Sequence, residues 1–258
     1  MNFNFKKKFG QNFINNNTLI NNICGLVDVD TNDLIIEIGP GAGALTKVLS
    51  EKNTSYICYE IDKELDQYLS KYKSDKLSII YGDFLQRDIS EDIRGIEYDN
   101  LFIIGNLPYY ITTNILLKLF DDNIRTKKCI FMVQKEFGDR LTAKPGNKEY
   151  GSITALLNYK YDIKEELYVD RSLFTPQPNV DSVVISLTQK DNGDLDLVKY
   201  KKFIRDAFQF KRKTLRNNLK GYDLDSIESV LNKYDLNLNN RAEDIDVNIF
   251  VDIVNTVL

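Results

Sequence analysis

Histidine is absent from the 258 residues. That one absence removes Ser-His-Asp and Cys-His nucleophilic catalysis and every His-ligated zinc or iron site. Cysteine is scarce as well. Cys24, Cys58 and Cys129 lie far apart in the chain with no paired spacing. They read as small buried hydrophobes in a reducing compartment. No apolar run approaches the roughly 18 residues that would mark a membrane span. The first residues are polar and lysine-bearing, without the apolar segment of a signal peptide, so a cytoplasmic protein with no membrane partner is expected. The net charge of −4 argues against nucleic-acid binding over the whole surface but leaves room for a local basic patch. Chemistry in this chain must therefore run on carboxylates, amides, hydroxyls, backbone groups or a bound cofactor.

What the sequence does contain is a series of apolar runs that end in polar residues. Leu34–Ile38 reads as a buried strand and leads directly into Gly39-Pro40-Gly41-Ala42-Gly43 and a helical run from Ala44 to Leu49. Glycines let the backbone approach a ligand closely, and a helix N-terminus offers unpaired N–H groups to an anion. The third glycine falls one residue early for the dinucleotide fingerprint G-x-G-x-x-G. A second strand, Ser55–Tyr59, ends in Glu60, about twenty residues beyond Gly39, an offset suited to binding ribose hydroxyls. The alternative for Glu60 is an acid at a helix N-terminus, a place that Asp62 also fits. A third strand, Leu77–Tyr81, ends in Gly82-Asp83-Phe84, where Asp83 can accept from an exocyclic amine with Phe84 against the ring.

A fourth run, Leu101–Ile104, ends in Gly105-Asn106-Leu107-Pro108-Tyr109-Tyr110. Asn106 carries both donors and acceptors, Pro108 holds the turn in one shape, and Tyr109 offers a face on which a base can stack. Each strand end has an ordinary turn reading. Taken together, four successive strands place a glycine turn, carboxylates and an amide at one edge of a sheet, as a nucleoside-binding crevice requires. The predicted architecture is α/β, a Rossmann-like domain followed by a small all-helical domain.

Further along, Thr112 or Thr113 is placed to cap a helix carrying Ile115, Leu116, Leu119 and Phe120, and Cys129–Val133 is a fifth buried strand. Phe174 precedes the rigid Thr175-Pro176-Gln177-Pro178 and is either a core plug or a second aromatic wall for a base. The polar stretch Gln189–Asp196 ends the strand pattern, which sets domains at 1–188 and 189–258. From Lys199 to Lys220, nine lysines and arginines face one acid, Asp206, and the pattern predicts a basic helix with an apolar underside of Phe203, Ile204, Ala207, Phe208, Leu215 and Leu219. Such a face, with Lys211, Arg212, Lys213 and Arg216, suits RNA phosphates. Near the N-terminus, Lys6, Lys7 and Lys8 between aromatics read either as a solvated terminus or as further phosphate contacts.

These residues resemble the ribosomal RNA adenine N6-dimethyltransferases, in particular the small-subunit dimethyladenosine transferase branch. The resemblance rests on Phe9-Gly10-Gln11-Asn12-Phe13, Glu37-Ile38-Gly39-Pro40-Gly41-Ala42-Gly43, Gly105-Asn106-Leu107-Pro108-Tyr109, Gln134-Lys135-Glu136, Tyr150-Gly151, Phe174 to Pro178, Val180-Asp181-Ser182, Arg212 to Arg216 and Arg241-Ala242-Glu243. They occur in order along nearly the whole chain. The sequence itself is silent on oligomeric state, for which a monomer is the simplest expectation. The resemblance implies an S-adenosyl-L-methionine-dependent methyltransferase, a Rossmann-like enzyme acting on small-subunit rRNA in the immature small ribosomal subunit. It implies that Asn12 and Ile14 close the cofactor pocket, that Gly39 and Gly41 line it, and that Glu60 with Ile61 holds the ribose. Asp83 and Phe84 would hold the adenine. Asn106, Leu107, Pro108 and Tyr109 would form the catalytic run, with Tyr109 and Phe174 stacking on the target base. No metal is implied. The rival readings are a large-subunit methyltransferase of the macrolide-resistance branch and a non-catalytic RNA-binding or transcription-assembly factor on the same fold. The Asn106-Leu107-Pro108 wording and the acidic charge favour the small-subunit branch, and an intact Asn106, Pro108, Tyr109 and Glu60 favour an enzyme.

Overall fold

The computed structural model describes residues 12–122 and 124–258. Lys6, Lys7 and Lys8, together with the Phe9-Gly10-Gln11 part of the first motif, lie outside the described residues. In chain order the strands are β1 (Phe13–Ile14), β2 (Leu34–Ile38), β3 (Ser55–Glu60), β4 (Leu77–Tyr81), β5 (Leu101–Asn106), β6 (Lys128–Gln134), β7 (Tyr161–Val169), β8 (Phe174–Thr175) and β9 (Ser182–Gln189). The α-helices are α1 (Asn17–Cys24), α2 (Ala44–Leu49), α3 (Asp66–Leu69), α4 (Ile89–Asp92), α5 (Thr112–Asp121), α6 (Lys135–Thr142), α7 (Ser152–Lys160), α8 (Leu197–Ala207), α9 (Leu215–Asn218), α10 (Leu224–Asn232) and α11 (Val247–Val257).

Seven strands form one sheet in the order β4-β3-β2-β5-β6-β9-β7, and β1 pairs antiparallel with β8. The strands β2 to β6 run parallel to one another, and β9 is antiparallel to β6. The central strands β2 and β5 are apolar runs rich in Ile and Leu, as suits a parallel sheet covered on both faces. Leu34, Ile35, Ile36, Ile103 and Ile104 are wholly buried. The chain runs outward from β2 through β3 to β4 and then returns to β5 on the other side of β2. The strand order therefore reverses between β2 and β5. That is the switch point at which open α/β sheets open a crevice beyond the carboxyl ends of their strands.

The close approach at that point has no room for a side chain. A Cβ on Gly105 would lie 2.5 Å from the Ile38 carbonyl oxygen across the β2–β5 seam. The helices start where the sequence supplies acceptors. Asn16 accepts from the Leu19 N–H at the start of α1, and Asp196 accepts from the Val198 and Lys199 N–H groups at the start of α8. Helix α5 has no side-chain cap. Thr112 is its first residue, and its hydroxyl donates instead to the Pro108 carbonyl.

The chain divides into two compact units. Unit 1 comprises residues up to Gly138 together with Ile163–Gln189, and unit 2 comprises Asp139–Asp162 with Lys190–Leu258. The polar stretch expected as the domain linker begins at one of these boundaries. Residues 139–162 belong with the C-terminal helices, although sequence reading placed them in the first domain. The reason is local bonding: within unit 2 the Tyr200 hydroxyl donates to the Ala155 carbonyl, and the Tyr159 and Tyr200 rings lie 5.1 Å apart. Phe203, Phe208 and Phe250 fill the rest of that core.

The basic run departs from expectation. It is not one helix: α8 stops at Ala207, and Lys211, Arg212 and Lys213 lie in the turn before α9. Asn218 is the cause. Its side-chain amide donates to the Ala207 and Phe210 carbonyls and its oxygen accepts from the Phe210 N–H, which stops the helix and fixes the turn. Among the described residues, no helix is long and apolar enough to cross a membrane.

Gly105→Ala is expected to lower the stability of the sheet by more than about 2 kcal/mol, because the added methyl must push β5 away from β2. Urea unfolding followed by circular dichroism measures this. A change below about 0.5 kcal/mol would show that the seam can open without cost.

Candidate active site

A cleft of about 550 Å³ lies at the carboxyl ends of the parallel strands, entirely within unit 1. Its walls include Gly39, Gly41 and Gly43 after β2, Glu60 and Ile61 after β3, Asp83 and Phe84 after β4, and Asn106 to Tyr109 after β5. Asn12 and Ile14 line it from the N-terminal side. The sheet thus brings together every cofactor-pocket residue expected from the sequence.

The turn after β2 is a cradle that only glycine can form. Gly39, Gly41 and Gly43 all have φ between +60° and +83°. A Cβ at Gly41 would meet the Phe13 ring at 2.9 Å, and one at Gly43 would meet Tyr72 at 2.8 Å. Bare backbone therefore lines the cleft where a side chain would fill it. Glu60 holds this cradle. One carboxylate oxygen accepts from the Gly41 N–H at 3.0 Å and the other from the Asp62 N–H at 2.9 Å. Burial pushes its carboxyl pKa up, while the Asp62 and Gly41 N–H bonds oppose that shift. Each oxygen keeps a second lone pair, so the carboxylate can still accept from a vicinal diol.

Asp83 caps the short turn at Phe84–Gln86 by accepting from the Leu85 N–H at 2.9 Å with one oxygen. The turn-capping reading and the cleft-facing reading of this residue therefore coexist. Phe84 is buried beside it and packs edge-on to Tyr59 at 5.2 Å.

The run after β5 is held from three sides. The Leu107 N–H donates to the Met132 carbonyl on β6, and the Pro108 carbonyl accepts from the Ile111 N–H at 3.1 Å. The Asn106 amide nitrogen donates to the Asn12 carbonyl at 2.9 Å. That bond fixes the amide plane and turns Oδ1 away from Asn12. Among the described residues, neither Asn106 Oδ1 nor the Leu107 carbonyl accepts a hydrogen bond. Tyr109 is tethered through its hydroxyl to Ser182 Oγ at 2.7 Å, and desolvation raises its pKa. The ring is thereby held at a fixed tilt on the cleft wall.

Phe174 is a core plug in this structure. It is 3% exposed, packs in the main hydrophobic cluster and pairs with Ile14 through β8 and β1. It is not among the residues lining the cleft. The Thr175–Pro176 turn that made an exposed aromatic plausible instead leads Phe174 into the small β1–β8 sheet. In unit 2, Lys211, Arg212 and Lys213 are exposed and make no ion pair among the described residues, whereas Arg216 is paired with Glu228 at 3.2 Å.

Sequence reading missed two contributors. Tyr72 closes the cradle against Gly43, and no local pattern marks it. Glu37 sits 1% exposed on β2, and an acid inside the apolar run Leu34–Ile38 was the available signal. Its Oε2 accepts from Thr46 Oγ1 at 2.6 Å, from the Tyr56 hydroxyl at 2.5 Å and from Cys58 Sγ at 3.7 Å. Desolvation pushes the Glu37 carboxyl pKa up to about 7, with the Thr46, Tyr56 and Cys58 bonds opposing and the Glu60 charge adding to the rise.

A largely parallel sheet whose strand ends present a glycine cradle, a buried carboxylate and an amide beside an aromatic ring is that of the Rossmann-like methyltransferase fold. A sequence profile of the family described as ribosomal RNA adenine dimethylase matches residues 2–257, and the chain belongs to that family. The chain is 40% identical to "Ribosomal RNA small subunit methyltransferase A" of Mycoplasma mobile over 253 residues, 97% of each chain. Among solved structures, a dimethyladenosine transferase from Plasmodium falciparum superposes with a TM-score of 0.78 at 23% identity, covering 93% of this chain and 95% of the other. The 23S rRNA methyltransferase ErmE superposes with a TM-score of 0.71 at 21% identity, covering 95% of this chain and 99% of the other. These two likenesses concern the fold.

The elevated Glu37 carboxyl sets a pH dependence of stability. A carboxyl whose pKa is raised on folding, here from the usual 4.5 to about 7, stabilises the fold below pH 4.5 and loses that contribution as pH rises through 7. The contribution is on the order of 3 kcal/mol. Glu37→Gln removes this titration while leaving an acceptor for Thr46 and Tyr56. Between pH 5 and pH 7 the stability of wild type relative to the variant is expected to fall, as read from paired urea melts. A constant difference would place the Glu37 pKa near that of an ordinary carboxylate.

Proposed function

We propose that this protein transfers methyl groups from S-adenosyl-L-methionine to the exocyclic N6 of two adjacent adenosines in the 3′-terminal hairpin of small-subunit rRNA, giving N6,N6-dimethyladenosine during ribosome biogenesis. The observation that carries this reading is the pair of acceptors that no described residue engages, Asn106 Oδ1 and the Leu107 carbonyl, beside a tethered Tyr109 at the switch point of a sheet of this family. The full-length likeness to small-subunit methyltransferases supports the choice of RNA.

The residues fit the cofactor by their donor and acceptor sets. Glu60 would accept from the ribose hydroxyls, Asp83 from the adenine amine, and the Gly39–Gly43 cradle would admit the methionine end, with Asn12 and Ile14 covering it. The cofactor supplies a methyl group already activated on a sulfonium.

The protein's task is to make a poor nucleophile react. The lone pair of adenine N6 is delocalised into the ring. Acceptance of its two N–H bonds by Asn106 Oδ1 and the Leu107 carbonyl favours a pyramidal nitrogen whose lone pair is free of that conjugation. Tyr109 stacks on the extruded base, and Ser182 keeps the ring in place. The nitrogen becomes acidic on alkylation, so its proton departs through these same acceptors to solvent and no histidine base is required. Dimethylation takes two rounds with exchange of cofactor between them. In unit 2 the exposed turn Lys211-Arg212-Lys213 would contact RNA phosphates, and Arg216, held by Glu228, would contribute less.

Incubation with labelled cofactor, undermethylated small subunits and, separately, protein-free large-subunit RNA tests the reading. Dimethyladenosine mapped by mass spectrometry to the small-subunit RNA is the expected result. Label only in large-subunit RNA would transfer the assignment to the macrolide-resistance branch, and label in neither would favour a binding factor.

Asn106→Ala is expected to lower turnover by about two to three powers of ten while cofactor affinity changes by less than about tenfold. Loss of cofactor binding with normal turnover at saturation would contradict the role given to its oxygen. Neutralising Lys211, Arg212 and Lys213 together should weaken RNA binding and lower the slope of log affinity against log salt by about two to three. An unchanged slope in filter-binding titrations would mean that the turn carries no phosphate.

A further inference from the structure

Glu37 lies on the cleft wall with no part in the contacts assigned above to cofactor or RNA. It is tied into the cleft by geometry. Its Oε2 gathers donors from Thr46 on α2 and from Tyr56 and Cys58 on β3, so one atom fastens the helix that follows the glycine cradle to the neighbouring strand. Displacing that oxygen would shift both sides of the cradle.

The charges around it are unbalanced. The titratable groups that face Glu37 are Cys24 on α1, Tyr56 and Cys58 on β3, and Glu60 at the end of β3, and a nearby cation, Lys52, acts on Cys24. The thiols and the phenol are held neutral by burial, and Glu60 is an acid. Among the described residues Glu37 has hydrogen-bond donors but no ion pair. A buried carboxylate with neutral donors and no paired cation is incompletely compensated, and protonation is its usual remedy.

We propose that Glu37 is a positioning residue that also senses ligand charge: its carboxylate is completed by the positive charge of the sulfonium cofactor, so that binding releases the Glu37 proton to solvent, while the neutral thioether product leaves that proton in place and is held less tightly. The proposal rests on the methyltransferase reading and adds to it a basis for discriminating cofactor from product. The two ligands share the ribose, adenine and amino-acid groups, so Glu60 and Asp83 treat them alike. They differ by one methyl and one charge, and a charge-compensated carboxylate is the element that detects the charge. Two methylations per adenosine require the spent cofactor to leave between rounds, which gives such discrimination a use. The raised Glu37 pKa agrees with a group that is partly protonated near neutral pH in the free protein.

The test is isothermal titration of S-adenosylmethionine and S-adenosylhomocysteine into wild type and Glu37→Gln at pH 7, in two buffers of different ionisation enthalpy. Wild type is expected to release about half a proton more than the variant on binding S-adenosylmethionine, and no more than the variant on binding S-adenosylhomocysteine. The cofactor's own ammonium titrates alike with both proteins and cancels in the difference. The affinity ratio of cofactor to product should fall about tenfold in the variant. A merely structural Glu37 would weaken both ligands together and leave the proton counts equal, which overturns the proposal. A measurement on wild type alone guards against a variant that does not fold. The affinity ratio of cofactor to product should rise between pH 6 and pH 8, and a flat or falling ratio overturns the proposal. Failure of wild type to bind S-adenosylmethionine at all would instead overturn the cofactor assignment on which it rests.

Discussion

The active cleft depends on how closely β5 lies against β2 at their carboxyl ends. Only a residue without Cβ can sit at position 105, because the Ile38 carbonyl occupies the space a methyl would take. With that seam closed, Gly39 follows β2 and Asn106 ends β5 on adjacent strands, and the cradle and the amide open into the same cavity. The remaining parts are arranged around this seam. β3 delivers Glu60 to hold the cradle, and β6 supplies the carbonyl that anchors Leu107. From across the cleft, the Asn12 backbone orients the amide. The fold thus places its chemistry by backbone proximity, with side chains selected to fit.

How much of this was readable in advance depended on the range of the interactions. The strands of the parallel sheet were legible because each is a short apolar run closed by a glycine or polar residue, and both signals are local. The cleft residues Gly39, Glu60, Asp83 and Asn106 were legible for the same reason, since strand ends in a parallel sheet necessarily share an edge. Phe174 was ambiguous because its neighbours Pro176 and Pro178 report stiffness but not direction. Its burial was decided by pairing with Ile14, 160 residues earlier. The break in the basic run after Ala207 was invisible for a related reason. Asn218 acts on it from eleven residues downstream, and Asn is neutral in sequence until its partner carbonyl is known. Glu37 was visible as an anomaly but not as a hub, since the phenol and thiol that serve it come from the next strand.

Two carboxylates two strand positions apart in space, Glu37 and Glu60, show how burial divides labour between like groups. Among the described residues, Glu60 accepts from backbone N–H groups, which do not titrate, one in the cradle at Gly41 and one at Asp62 just past its own strand. Among the described residues, Glu37 accepts from side chains, and it is the more deeply enclosed of the two. The first is built to hold a shape and the second to respond to charge, although the residue type is the same.

The interleaving of the two units has a bearing on synthesis at the ribosome. The chain passes between them three times, at 138/139, 162/163 and 189/190. Strand β9 lies between β6 and β7 in the finished sheet, so unit 1 cannot complete its hydrogen bonding until residue 189 has emerged. Until then the β6 edge is unpaired while the 139–162 excursion, whose own partners begin at residue 190, waits without a core. Long-range pairing of this kind slows folding and leaves exposed apolar segments in nascent chains. The emerging chain therefore carries an open strand edge and a segment without its core until the last third of the protein has been made.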